Sequence, residues 1–174
     1  MVLDGFLVPD REMGYDKRFS VRDCLYAFHS FLRNYKTGGK PFELFLTDAC
    51  KKHNVNTRLI LAHLQMGLGL LNRKQEPSVG IMKRALLLPY GFDHGDKDFP
   101  AQLETVIEHF RILYDKADLV EPFHLKDTVV LPKTKLSYVL FNFVAEAGTG
   151  SYPDSGCYLF LRHFGQLGRF RYGP

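Results

Sequence analysis

Residues 54–71 read Asn54-Val55-Asn56-Thr57-Arg58-Leu59-Ile60-Leu61-Ala62-His63-Leu64-Gln65-Met66-Gly67-Leu68-Gly69-Leu70-Leu71, and their pattern decides the fold class. From Leu59 onward almost every position is apolar, which leaves no polar face for solvent. A helix that is apolar all round belongs in a core. Asn56 suits its N-terminus, because the side-chain oxygen accepts one of the unpaired first-turn N–H groups. The reading is a buried central helix over 57–71. Gly67 and Gly69 each cost roughly 1 kcal/mol relative to Ala in a helix interior. A close backbone approach or a cleft floor is expected to account for them.

Helical spacing continues on both sides. Val21, Cys24, Leu25, Phe28, Phe31, Leu32 and Tyr35 recur at intervals of three and four, as one buried helix face requires. Ser20 is its natural cap, and Gly38-Gly39 its end. Pro41 can open a second helix, with Phe42, Phe45, Leu46, Ala49 and Cys50 inward and Asn54 as a left-handed stop. Further helices are expected over 80–88, 101–117, 135–147 and 156–166. The stripe Leu103, Val106, Ile107, Phe110, Leu113, Tyr114 makes 101–117 the most regular of them. Residues 118–133 read as extended or irregular, with Thr128-Val129-Val130-Leu131 the one β-like run. The expected architecture is mainly α, with about six helices around the central one. Residues 1–19 read as an irregular segment preceding a single domain over 20–174.

Composition is that of an ordinary globular chain: 174 residues, 45% hydrophobic, 24% charged, net charge +4. No apolar run reaches the roughly 20 residues that span a bilayer. Met1 to Asp10 shows neither a basic start nor a long apolar stretch, so no secretory signal is visible, and the compartment stays open. Basic residues are spread along the chain, which argues against a nucleic-acid partner. A mild positive charge suits encounter with an anionic polymer such as a cell wall. Cys24, Cys50 and Cys157 form no CxxC pair, and Cys24 and Cys50 read as buried thiols. Asp93, His94, Asp96 and Asp98 cluster without the spacing of a calcium loop, and no Gly-rich phosphate loop, HExxH or GxSxG occurs. No metal or cofactor is expected.

The segment 54–71 resembles the catalytic helix of lysozyme-like peptidoglycan hydrolases, the group of goose-type lysozymes, lytic transglycosylases and bacterial glucosaminidases. The Leu61-Ala62 pair, Gln65, Gly69 and Leu70 match that pattern, but Gly67 stands where the family carries its Glu. Gly80-Ile81-Met82 is similar to the turn after the catalytic Glu. Tyr90-Gly91-Phe92-Asp93-His94-Gly95 is similar to a glucosaminidase loop, and Phe99, Gln102 and Tyr114 to the next helix. Phe141-Asn142-Phe143 is similar to a cleft-lining motif, and residues 156–164 to an aromatic terminal helix. The resemblance runs from about Ser20 to Leu167.

What the resemblance implies is a cleft for peptidoglycan or another amino-sugar glycan, with Gln65, Met82, Tyr90 and Asn142 as glycan contacts. Each has another reading: Gln65 as a buried amide satisfied by backbone, Met82 as core, Tyr90 at a loop edge, and Asn142 bonded to a helix end. His63 reads first as a core histidine. Glycosidic cleavage needs a proton delivered to the leaving oxygen, normally by a carboxylic acid in an apolar pocket. Gly67 offers none, and loss of general-acid help costs about 10²–10⁴-fold. Glu76 and Glu146 are the substitutes within the motif region, though each also reads as a solvated surface carboxylate. The expectation is a lysozyme-like domain with lost or strongly reduced catalysis. Its alternative is a non-catalytic glycan-binding or structural module of a cell-envelope or phage assembly, the settings where such families act. A third reading is a helical interaction protein with no glycan role.

Overall fold

The computed structural model describes residues 2–5, 8–84, 86, 98–119, 122–125, 128–146, 160 and 162–173. It is mainly helical, with α1 at Val21–Ala27, α2 at Phe42–His53, α3 at Thr57–Leu68, α4 at Val79–Arg84, α5 at Phe99–Lys116 and α6 at Lys135–Glu146. Residues 162–167 form a further helical turn and a half, continued by a 3-10 turn at Gly168–Phe170.

The caps fall where short polar side chains demand them. Ser20 accepts the N–H of Asp23, and Asn56 accepts the N–H of Arg58. Asp98 accepts the N–H of Ala101 at the start of α5, whose first turn holds Pro100. Asn54 closes α2 in the left-handed conformation, at φ 51° and ψ 51°. Its side-chain oxygen also accepts the N–H of Tyr15, 3.0 Å away.

Expectations for the helical segments are corrected at three points. The stripe over 21–35 is not one helix, because α1 stops at Ala27 and His29 turns left-handed. Ser30 then caps a separate 3-10 turn at Phe31–Arg33. Gly38 and Gly39, read as a helix stop, have φ of 57° and 82° and form the tip of a hairpin. That hairpin joins β2, Lys36–Thr37, to β3, Lys40–Pro41, and positive φ at both tip residues is what a two-residue hairpin needs. The central segment does not stay helical to residue 71. Gly69 caps α3 at φ 63°, and Leu70–Asn72 follow as a 3-10 turn.

The N-terminal stretch is not irregular. Val2–Gly5 form β1, which pairs in parallel with β5, Thr128–Pro132, while β4, Phe123–Leu125, pairs antiparallel on the other side of β5. Val8, Met13 and Phe19 join the core. Ser137 Oγ accepts the N–H of Val8, and Asp10 accepts the N–H of Leu136, which fastens this stretch to α6.

One hydrophobic cluster runs through α1, α2, α3, α5 and α6. Leu59, Ile60, Leu61, Ala62, His63 and Leu64 are each fully buried. A fully buried aliphatic side chain contributes about 1.5–3 kcal/mol by leaving water.

Candidate functional site

Of the segments that carry the glycan resemblance, 90–95 and most of 156–164 lie outside the described residues. The others, 54–71, 80–82, 99–114 and 141–143, lie along α3, α4, α5 and α6. These helices touch in that order: α3 packs on α4, α4 on α5 and α5 on α6. Their shared centre is His63. It is fully buried, with its ring edge-on to Phe110 of α5 at 5.9 Å and to Phe143 of α6 at 5.5 Å. Its Nε2 hydrogen-bonds the carbonyl of Leu86, which follows α4. Burial holds the imidazole pKa down at about 4, against a smaller opposing effect of that hydrogen bond. A neutral ring that donates to a carbonyl from Nε2 has no proton on Nδ1. Nδ1 has no hydrogen-bond partner among the described residues, and the burial and ring contacts place the imidazole in the core.

Position 67 lies in the last turn of α3. By helical periodicity it shares a face with Ile60, His63 and Leu64. The turn after it is held closely. Gln65 Oε1 accepts the N–H of Leu71 at 3.0 Å, Arg73 Nε donates to the carbonyl of Leu68 at 3.2 Å, and Ser30 Oγ donates to the carbonyl of Leu70 at 3.4 Å. Gln65 is buried, with its side-chain oxygen bonded to backbone.

The other named residues are placed as follows. Met82 is buried in the core cluster. Asn142 is half-buried, and its Nδ2 donates to the carbonyl of Tyr138 one turn earlier at 2.8 Å. It is Phe143, its neighbour, that reaches α3. Glu76 is exposed. Glu146 closes α6, but its side chain lies outside the description, as do all of Tyr90, Cys157, His94, Asp93 and Asp96. The structure therefore gathers Gln65 and Met82 into the packed interior with α3, and leaves Asn142 bonded to its own helix.

Sequence reading missed an ionic clasp between the chain ends. Asp16 Oδ1 accepts from Arg18, through backbone N at 3.0 Å and Nε at 3.1 Å, and Oδ2 pairs with Arg171 Nε at 2.5 Å. Glu12 lies 3.8 Å from Arg171 and 3.9 Å from Arg58. Glu12, Asp16, Arg18 and Arg171, with Arg11 and Asn56, line a polar depression of about 170 Å³. Since its acids and bases face one another, it is a clasp in charge terms and not an open ion site. Backbone bonds run alongside, from Ser20 N–H to Phe170 O at 2.9 Å and from Tyr172 N–H to Arg18 O at 2.9 Å. No spacing signal marks the Arg171 pairs, whose partners Glu12 and Asp16 lie at the other end of the chain, far beyond the three- and four-residue spacing that a helix reads out.

Among the described residues no helix is long and apolar enough to cross a membrane. Comparison with protein-family models, with curated proteins and with solved structures finds no match.

Proposed function

We propose that this chain is a lysozyme-like domain, related to enzymes that cleave the β-1,4 glycan of peptidoglycan, in which cleavage is lost or strongly reduced. The carrying observation is that helices α3, α4, α5 and α6, which bear most of the resembling segments, pack on one another in sequence, with Gly67, which the resemblance aligns with the family's acid, in the last turn of α3. Glu76, one of the substitutes, is exposed, where a carboxyl lacks the apolar surroundings that keep a general acid protonated. Retention of the glycan without its cleavage is the activity this arrangement supports.

A second reading, a structural module of an envelope or phage assembly, is favoured by a different observation. Gln65 and Met82 are committed to packing and backbone bonding, so these two side chains are not offered to a ligand.

The test is a pair of assays on the full chain. Co-sedimentation with purified peptidoglycan measures retention, and turbidity loss of a wall suspension measures cleavage. The expected result is retention without clearing. Gly67→Glu is the most productive single change for restoring clearing, because an apolar setting raises a carboxyl pKa and keeps it protonated near neutrality. No retention by saturating peptidoglycan would leave the structural-module reading. Clearing by the wild type that survives Gly67→Ala but is lost in Glu76→Gln or Glu146→Gln would mean the acid lies elsewhere.

A further inference from the structure

We propose that an exposed basic face made by Arg22, Tyr26, His29, Arg33 and Lys74 binds the carboxylates of peptidoglycan's peptide branches, an inference that rests on the glycan reading above.

Tyr26 is 48% exposed on α1. The guanidinium carbons of Arg22 and Arg33 lie 5.7 and 5.8 Å from its ring centroid. An aromatic ring holds guanidinium groups by its quadrupole, which orients their N–H forks before any ligand arrives and lowers the entropy lost on binding. Arg33 also lines, with His29 and Lys74, an open depression of about 280 Å³. All four basic side chains are exposed. Of the nearby acids, Asp23 is engaged by the Tyr172 hydroxyl, and Glu76, two residues from Lys74, is exposed, so the cations outnumber the acids on this face.

The backbone at His29 adds an independent sign. His29 stands at φ 51°, in the position after α1 where Gly is usual. Its N–H bonds the carbonyl of Tyr26, and the N–H of Ser30 bonds the carbonyl of Leu25, each at 3.0 Å. That is the helix-ending motif Gly serves without strain, so an imidazole is kept there at a conformational cost. What it gains is a place beside Arg33 and Lys74.

Position ties the face to the proposed glycan site. Ser30 Oγ donates to the carbonyl of Leu70, and the N–H of Phe31 to the carbonyl of Arg73 at 2.7 Å. The depression therefore abuts the turn that follows α3, the end that holds Gly67. The ligand chemistry follows from the donors. Two forks, an ammonium and an imidazole suit carboxylates. The Tyr26 ring is already engaged by guanidinium groups, so the face presents charge and not the free stacking platform that single-stranded nucleic acid uses.

The test is co-sedimentation of the full chain with peptidoglycan stripped of phosphate polymers, over a series of salt concentrations. Wild type is retained, and retention falls as salt rises. Arg33→Glu with Lys74→Glu weakens binding about tenfold or more. Amidating the carboxylates of the peptidoglycan weakens wild-type binding similarly. His29→Gly weakens binding by a smaller factor yet raises the thermal midpoint, because Gly accepts the positive φ, and this gain excludes misfolding as the cause. Charge-reversed protein sedimenting like wild type would overturn this inference and leave the glycan reading standing. Wild type that is not retained at any salt would overturn both. Tighter binding to a DNA duplex or to polyphosphate, lost in the charge-reversed variant, would make the face a phosphate-polymer site and overturn the carboxylate assignment.

Discussion

The guanidinium of Arg58 lies flat enough over the ring of Phe164 to bring its carbon within 3.6 Å of the ring centroid. Arg58 opens α3 and Phe164 belongs to the last helical turns, so this contact joins the chain's middle to its end. Glu12, 3.9 Å from Arg58, adds the N-terminal stretch to the same point. Burial works against the charge on Arg58, while Glu12 and Asp16 support it. The arrangement needs a planar, weakly hydrated cation, which Arg supplies and Lys does not.

Arg58→Lys is therefore expected to be nearly as harmful as Arg58→Met, each losing about 1–2 kcal/mol from the desolvated ring contact. A double-mutant cycle with Phe164→Leu, read from urea melts, should return a coupling of about 1 kcal/mol. Additive single effects would show that the two side chains do not act together.

Stability should fall with acid in a window set by His63. Its folded pKa, about 4, lies below the ordinary 6.5. Between those values the unfolded chain binds the extra proton and the folded chain does not, so unfolding gains as pH falls. The stability is full above about 6.5 and lost progressively down to about 4, for roughly 3 kcal/mol in all. His109 and His163 shift in the same direction, also through burial. His63→Phe should flatten most of the slope between pH 6.5 and 4.5, at the cost of leaving the Leu86 carbonyl without its donor. Glu104, held low by its hydrogen bond to Lys52, adds stability that is present above the ordinary carboxylate pKa and is lost only as pH falls below it, so it does not shape the slope above that range. An unchanged slope in His63→Phe would assign the acid sensitivity elsewhere.

Gly69 should respond to substitution through its backbone conformation. Gly69 sits at φ 63°, where a Cβ would meet no atom of the described residues within 4 Å, so backbone strain decides its fate. Gly69→Ala should cost about 1 kcal/mol, and Gly69→Asn less, since Asn tolerates the left-handed region. Thermal or urea unfolding of the two variants checks the order. Equal costs would point to a steric cause.

Cys24 and Cys50 are buried, free thiols, and burial pushes each up to about 12. Because the thiolate is the reactive form, a thiol reagent at neutral pH should leave both unmodified in the folded protein and label both in denaturant. Prompt labelling of either in the native state would show local opening of α1 or α2.

What the sequence determined by itself is local. Capping by Ser20, Asn56 and the left-handed Asn54 was legible because each depends on one side chain and the next few N–H groups. Apolar spacing within α2, α5 and α6 was legible because a helix brings residues three and four apart onto one face. The tertiary structure decided whatever depends on residues far apart. Val2 pairs with Val129 in a parallel ladder, and a strand's hydrogen-bond partners leave no trace in its own spacing. The stripe over 21–35 was continuous, yet the chain breaks at His29 because Ser30 and Phe31 bond to Leu70 and Arg73, 40 and more residues away. The candidate site followed the same division. Gly67 was found as a missing side chain in a pattern. That Gln65 serves Leu71 and that Arg33 joins His29 and Lys74 emerged only when the turns beside α3 were folded together.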